Sequence, residues 1–103
     1  MIESRIQELS AERALRLTLH AQQEMLEDGV SIADLLACLE VCTVIEEYPD
    51  HRRGACCLVC CETAGGRPLH LVCTTERPEL IIITVYEPKP PKWETPFVRG
   101  KRT

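Results

Sequence analysis

The stretch Ala55-Cys56-Cys57-Leu58-Val59-Cys60-Cys61 carries four of the chain's seven cysteines, and its reading decides the fold. A zinc knuckle places two cysteines on a tight turn so that both thiolates reach one metal, and such turns usually carry Gly or Pro. Here the intervening pair is Leu58-Val59, and the whole run reads as a β-strand. Side chains on a strand alternate between faces, so Cys56, Leu58 and Cys60 point one way and Cys57, Val59 and Cys61 the other. The CxxC pair Cys57 and Cys60 then lies on opposite faces and cannot share a metal. Cys56 and Cys60 share a face but are separated by about 13 Å along the strand. Free cysteine packs as a small hydrophobe, so the leading reading is a buried central strand. Metal binding and redox switching rank behind it; Cys38 and Cys42 would serve as further ligands only if the segment were not a strand.

Outward from this strand the pattern repeats. The run from Ala55 to Thr63 ends at Ala64-Gly65-Gly66, a hairpin turn. Before it, Thr43 to Tyr48 is a β-branched run closed by Pro49-Asp50; after it come Leu69 to Thr75 and the strongly β-prone Leu80 to Glu87. Short turns between strands imply antiparallel pairing. The N-terminal third is helical in pattern. Ile2, Ile6 and Leu9 recur at helical spacing over residues 2–13. Thr18 is an N-cap for a helix running to Asp28 and ended by Gly29. Ser31-Ile32-Ala33-Asp34 opens a third helix with a capping-box pattern, carrying Ile32, Leu35, Leu36 and Leu39 on one side. Ala14 to Leu19 alternates apolar and polar, and fits either an extended link or the continuation of one long helix. The expectation is an α+β domain over residues 1–87, with N-terminal helices on one face of a four-stranded, mainly antiparallel sheet. Residues 88–103 hold four prolines and read as a basic tail whose Trp93 and Phe97 dock on the body.

The bulk numbers limit the function. A chain of 103 residues makes one domain with a modest core. No apolar run is long enough for a membrane helix, and MIESRIQELSAER lacks a signal-peptide core, which points to the cytoplasm. A reducing compartment and an odd number of cysteines both argue against a disulfide scaffold. The net charge of −4 is unevenly spread: residues 1–87 hold seven basic and fifteen acidic side chains, residues 88–103 five basic and one acidic. Such an acidic body suits nucleic acid poorly; the tail is the exception.

Few residues could carry chemistry. His20 stands in the first turn of the second helix, where the helix dipole favours the neutral imidazole that a general base or ligand needs. The plainer alternative is a structural histidine bonded to a backbone carbonyl. His70 lies within the third strand, on the face of Val72 and Thr74. Thr84 and Tyr86 share a face of the last strand, and a tyrosine there can assist acid–base work or simply edge the core. His51-Arg52-Arg53 is a basic turn, either a solvated loop or a phosphate contact. No P-loop, GxGxxG, HExxH or nucleophile-elbow pattern occurs.

Several stretches together resemble a known pattern: Leu19-His20-Ala21, Glu24-Met25, Glu27-Asp28-Gly29-Val30-Ser31, Ile45-Glu46-Glu47-Tyr48-Pro49-Asp50, Arg67-Pro68-Leu69-His70-Leu71-Val72, Ile83-Thr84-Val85-Tyr86-Glu87-Pro88, and Trp93-Glu94 with Phe97. Over residues 15–99 the chain resembles a bacterial domain-of-unknown-function family, with a helix opening HA..RM..R, placed in the RelE-like toxin superfamily. The resemblance implies a RelE-like α+β fold. It also implies a metal-independent endoribonuclease that cuts mRNA, often on the ribosome, with no cofactor. Genes of the family often neighbour a small antitoxin with a YgiT-type zinc finger, so the implied partners are that protein and RNA.

Carried onto this sequence, the resemblance makes His20, His70 and Tyr86 the catalytic candidates. Arg53, Arg67, Arg99, Lys101 and Arg102 become the RNA-binding ones. The chain departs from the pattern at Glu24 and Asp28, where the family's helix usually carries arginine, and both changes repel phosphate. They motivate a second expectation, a non-catalytic interaction domain that binds a small partner protein.

Overall fold

A computed structural model describes residues 1–52 and 54–100. Helix α1 (Ile2–Ala11) leads into strand β1 (Leu15–Leu17), followed by α2 (Leu19–Asp28) and α3 (Ile32–Glu40). The strands β2 (Thr43–Tyr48), β3 (Cys56–Glu62), β4 (Pro68–Thr74) and β5 (Leu80–Tyr86) come next, and β6 (Trp93–Thr95) and β7 (Val98–Arg99) close the described chain. The caps are local and readable. Thr18 accepts from the Ala21 N–H, Gly29 adopts a left-handed φ of 64°, and Ser31 and Asp34 exchange both bonds of a capping box.

The α+β architecture is as expected, but the sheet has five strands, in the order β1-β5-β4-β3-β2. The fifth is the Ala14–Leu19 link. Leu15, Arg16 and Leu17 pair in parallel with Leu80, Ile81 and Ile82, far away in sequence, so no local pattern betrays the pairing. The other neighbours run antiparallel. The tail also departs from the expected irregular segment: β6 and β7 form a small antiparallel ribbon.

The cysteine-rich strand β3 is an interior strand of this order, between β4 and the edge strand β2. All six residues from Cys56 to Cys61 are buried, because both faces of the sheet are covered. On one face Cys57, Val59 and Cys61 join Leu71, Ile82 and Val85 beneath Ile6, Leu9, Met25, Leu35 and Leu39 of the helices. Ile32, expected on the inner side of α3, is instead 53% exposed, while Cys38 takes a buried place. On the other face the tail does the covering, with Trp93 buried.

Two bulges set which side chains reach that outer face. Val44 pairs with Val59 and Glu46 with Leu58, leaving Ile45 unpaired. One extra residue reverses the alternation that follows. Val44 therefore packs on the helical core, while Glu46 and Tyr48 turn to the outer face, two residues apart and both beside the tail. In β5 the extra residue is Ile83, between Thr84 opposite Val72 and Ile82 opposite Cys73.

Candidate functional site

The outer face gathers the chain's polar chemistry. Cys60, His70 and Tyr86 lie in one row across β3, β4 and β5. This register brings the Tyr86 hydroxyl to 3.0 Å from His70 Nδ1. The other ring nitrogen, Nε2, lies 2.6 Å from the Pro96 carbonyl oxygen, between β6 and β7. A carbonyl only accepts, so Nε2 carries the proton. In the neutral ring Nδ1 is then the acceptor, and the Tyr86 O–H donates to it. Burial holds the neutral form by pushing the His70 pKa below its ordinary value, against the opposing pull of the Pro96 carbonyl. Burial likewise raises the Tyr86 pKa.

Beside this pair stands a carboxylate. Glu46 accepts two bonds from the Arg99 guanidinium, at 2.6 and 2.7 Å, and one from the Tyr48 hydroxyl at 2.5 Å. The Arg99 bonds in particular hold its pKa down to about 2. Burial, then the Glu46 contact, push the Tyr48 pKa up to about 12. Arg99 also lies over the Trp93 ring, 4.7 Å from its centroid, and Trp93 meets His70 edge-on at 4.4 Å. The Trp93 indole N–H is buried and approaches the Tyr86 oxygen without hydrogen-bond geometry; among the described residues it is left without a partner. The tail therefore grips the outer face through Trp93 on the His70 ring, Pro96 on Nε2, Arg99 on Glu46, and Lys92 over the Tyr86 ring, 5.7 Å from its centroid.

The other candidates lie elsewhere. His20 is exposed at the start of α2 and pairs with Glu24 at 3.2 Å. No hydrogen bond or ring contact among the described residues joins it to His70 or Tyr86. Glu24 has a structural task of its own: its carboxylate accepts the Val85 N–H at 2.9 Å. Arg67 stands just before β4 and binds Glu87 at 2.5 Å, with a longer bond to the Gly29 carbonyl at the end of α2. Lys89 approaches the same Glu87 at 3.8 Å. Arg67 and Arg99, both expected to hold RNA, are thus each engaged by a carboxylate. Arg53, Lys101 and Arg102 lie outside the described residues. Trp93 docks as expected, whereas Phe97 remains 59% exposed.

Sequence reasoning missed Glu46, Tyr48 and the Pro96 carbonyl. The first two depend on the Ile45 bulge, which leaves no local signal, and the third is a main-chain atom. Among the described residues, no group of three or more His, Cys, Asp or Glu side chains is arranged to hold a metal.

These features define an α+β domain in which, among the described residues, His70, Tyr86, Glu46 and Tyr48 gather on the sheet face opposite the helices. The family model described as "Domain of unknown function (DUF4258)" matches residues 17–87, and the chain belongs to that family. The match ends before the tail that covers His70. No curated protein and no solved structure matches the chain.

Proposed function

We propose that the chain is a toxin-like, metal-independent endoribonuclease of the RelE-like superfamily, held latent by its own tail. The observation that carries this reading is the His70–Tyr86 pair beside Glu46 and Tyr48: two groups with opposed proton affinities on one sheet face, which general acid–base cleavage of RNA requires. With the tail lifted, His70 Nε2 and the Glu46 carboxylate lose the Pro96 and Arg99 contacts together. Glu46 then takes the proton of a ribose 2′-hydroxyl as its oxygen attacks the adjacent phosphorus. His70, no longer buried by the tail, takes up a second proton, and the imidazolium gives its Nε2 proton to the departing 5′-oxygen and returns to the neutral ring, with the Tyr86 hydroxyl again bonded to Nδ1. The P–O5′ bond breaks, leaving a 2′,3′-cyclic phosphate and a 5′-hydroxyl. In this reading His20 binds or positions rather than transfers protons. The small antitoxin, zinc-finger type or otherwise, is the partner that would control the open form, and RNA, free or on the ribosome, is the substrate.

A second reading has its own support. Arg67 and Arg99 are neutralised by Glu87 and Glu46, and Glu24 stands where the family's helix usually shows arginine. A phosphate-binding surface wants unpaired cations, so this arrangement favours a non-catalytic domain that binds a small protein.

Growth after induction separates the two. Arrest by Arg99→Ala, relieved by adding His70→Ala at equal soluble protein, supports the ribonuclease. Normal growth with soluble Arg99→Ala protein favours the binding domain.

A further inference from the structure

The helix face of the sheet carries an arrangement that the proposed reaction does not use. Cys57 and Cys73 are directly paired across β3 and β4, and their sulfurs are 3.8 Å apart. Both line a cavity of about 300 Å³ at the end of the sheet, together with Ile2, Glu47, Pro49 and Glu76. Directly opposed residues of an antiparallel pair have Cα atoms about 4.5–5.5 Å apart, within the range of about 4.4–6.8 Å that a disulfide spans. The strand register therefore suits a disulfide, for which the sulfurs would close from 3.8 Å to about 2.05 Å.

We propose that Cys57 and Cys73 form a reversible oxidation site, closed to a cross-strand disulfide by a small neutral hydroperoxide entering through this cavity. Cys57 keeps a little exposed surface where Cys73 has none, 3% against 0%, which makes it the sulfur the oxidant reaches first, and its contact with the Cys73 thiol favours its ionised form. Its thiolate attacks one peroxide oxygen; the O–O bond breaks, and the leaving hydroxide takes up the proton that Cys57 released. Cys57 is now a sulfenic acid. The Cys73 sulfur attacks the Cys57 sulfur, the S–O bond breaks, and the hydroxyl leaves as water with the Cys73 proton. In total two thiols and one hydrogen peroxide give one disulfide and two waters. Glu47 and Glu76 at the cavity select for a neutral oxidant by repelling anions such as hypochlorite or peroxynitrite.

The remaining cysteines supply the competing outcomes. Cys38 and Cys61 also lie near one another, between α3 and β3, with the Cys61 thiol donating to the Leu69 carbonyl at 3.6 Å. Their bridge would join a helix to a strand rather than a pre-registered strand pair.

The test oxidises the folded full-length chain with hydrogen peroxide, alkylates the remaining thiols, and maps disulfides by peptide mass spectrometry. The expected first product is a Cys57–Cys73 cross-link, with two of the seven cysteines lost to alkylation and recovered by dithiothreitol. A first-formed Cys38–Cys61 bridge, any other pairing, or Cys57 and Cys73 that remain fully alkylatable would overturn the proposal. Because the wild-type protein is mapped directly, no substituted variant need fold.

Discussion

His70 donates through Nε2 to the Pro96 carbonyl at 2.6 Å, so a main-chain atom of the tail holds the ring position that a reacting group would need. Tyr86 holds the other nitrogen. His70 has no exposed surface, and its burial depends on a segment of two short strands outside the matched family region.

Arg99→Ala should loosen that segment. It removes two charge-assisted bonds to Glu46 and the stacking on Trp93. The pair is partly exposed, so the loss of stability is about 1 kcal/mol. Faster amide exchange across residues 93–99, with a red shift of Trp93 fluorescence, reports the release. Unchanged exchange would show that Arg99 is not a clasp.

Acidification should release the tail in two stages. Both the Glu46 and His70 pKa values are lower in the folded protein than in the unfolded chain. The unfolded state therefore binds more protons in each window, and stability falls as pH falls. The His70 contribution is complete above its ordinary value of 6.5 and declines below it. The Glu46 contribution declines from 4.5 toward about 2. Trp93 fluorescence followed against pH should show both stages, and Glu46→Gln should remove the lower one. A single stage unaffected by Glu46→Gln would refute the assignment.

The His70 tautomer is fixed by its partners. Nitrogen NMR near neutral pH should find a protonated, pyrrole-type Nε2 and a pyridine-type Nδ1. Tyr86→Phe leaves Nδ1 without its donor and should cost about 1–2 kcal/mol in denaturant unfolding. A protonated Nδ1 would reverse the direction of the Tyr86 bond.

Glu24 should matter for stability whatever the chain's function. Glu24→Ala leaves the part-buried Val85 N–H without its acceptor and should cost about 1–3 kcal/mol. Glu24→Gln retains a carbonyl oxygen and should cost less. Glu24→Arg, which also removes the acceptor, should resemble Glu24→Ala. Equal stability of all three would show that water replaces the carboxylate.

What could be read from the sequence was local. Thr18, Gly29, Ser31 and Asp34 announce their helix ends because each cap spans only a few residues. The Cys56–Glu62 strand was legible because β-rich runs flank it and a Gly-Gly turn follows. The fifth strand was not, since Leu15–Leu17 gains its identity from Leu80–Ile82. The site was half legible. His70 and Tyr86 could be placed on strands, but their meeting depends on register, and Glu46 and Tyr48 join them only through the Ile45 bulge. His20 offered the better local signal, yet it pairs with Glu24. Ion pairing of Arg67 and Arg99 is likewise tertiary, so their carboxylate partners Glu87 and Glu46 left no local signal.

The most direct test of the central claim is cleavage of a defined ribo-oligonucleotide by purified Arg99→Ala protein, beside wild type and the Arg99→Ala/His70→Ala double variant, each checked for folding. The account expects faster cleavage by Arg99→Ala than by wild type, products ending in cyclic phosphate and 5′-hydroxyl, and loss of that activity with His70→Ala. A folded, tail-released Arg99→Ala protein that leaves RNA intact, or cleavage that survives the removal of His70, would contradict it.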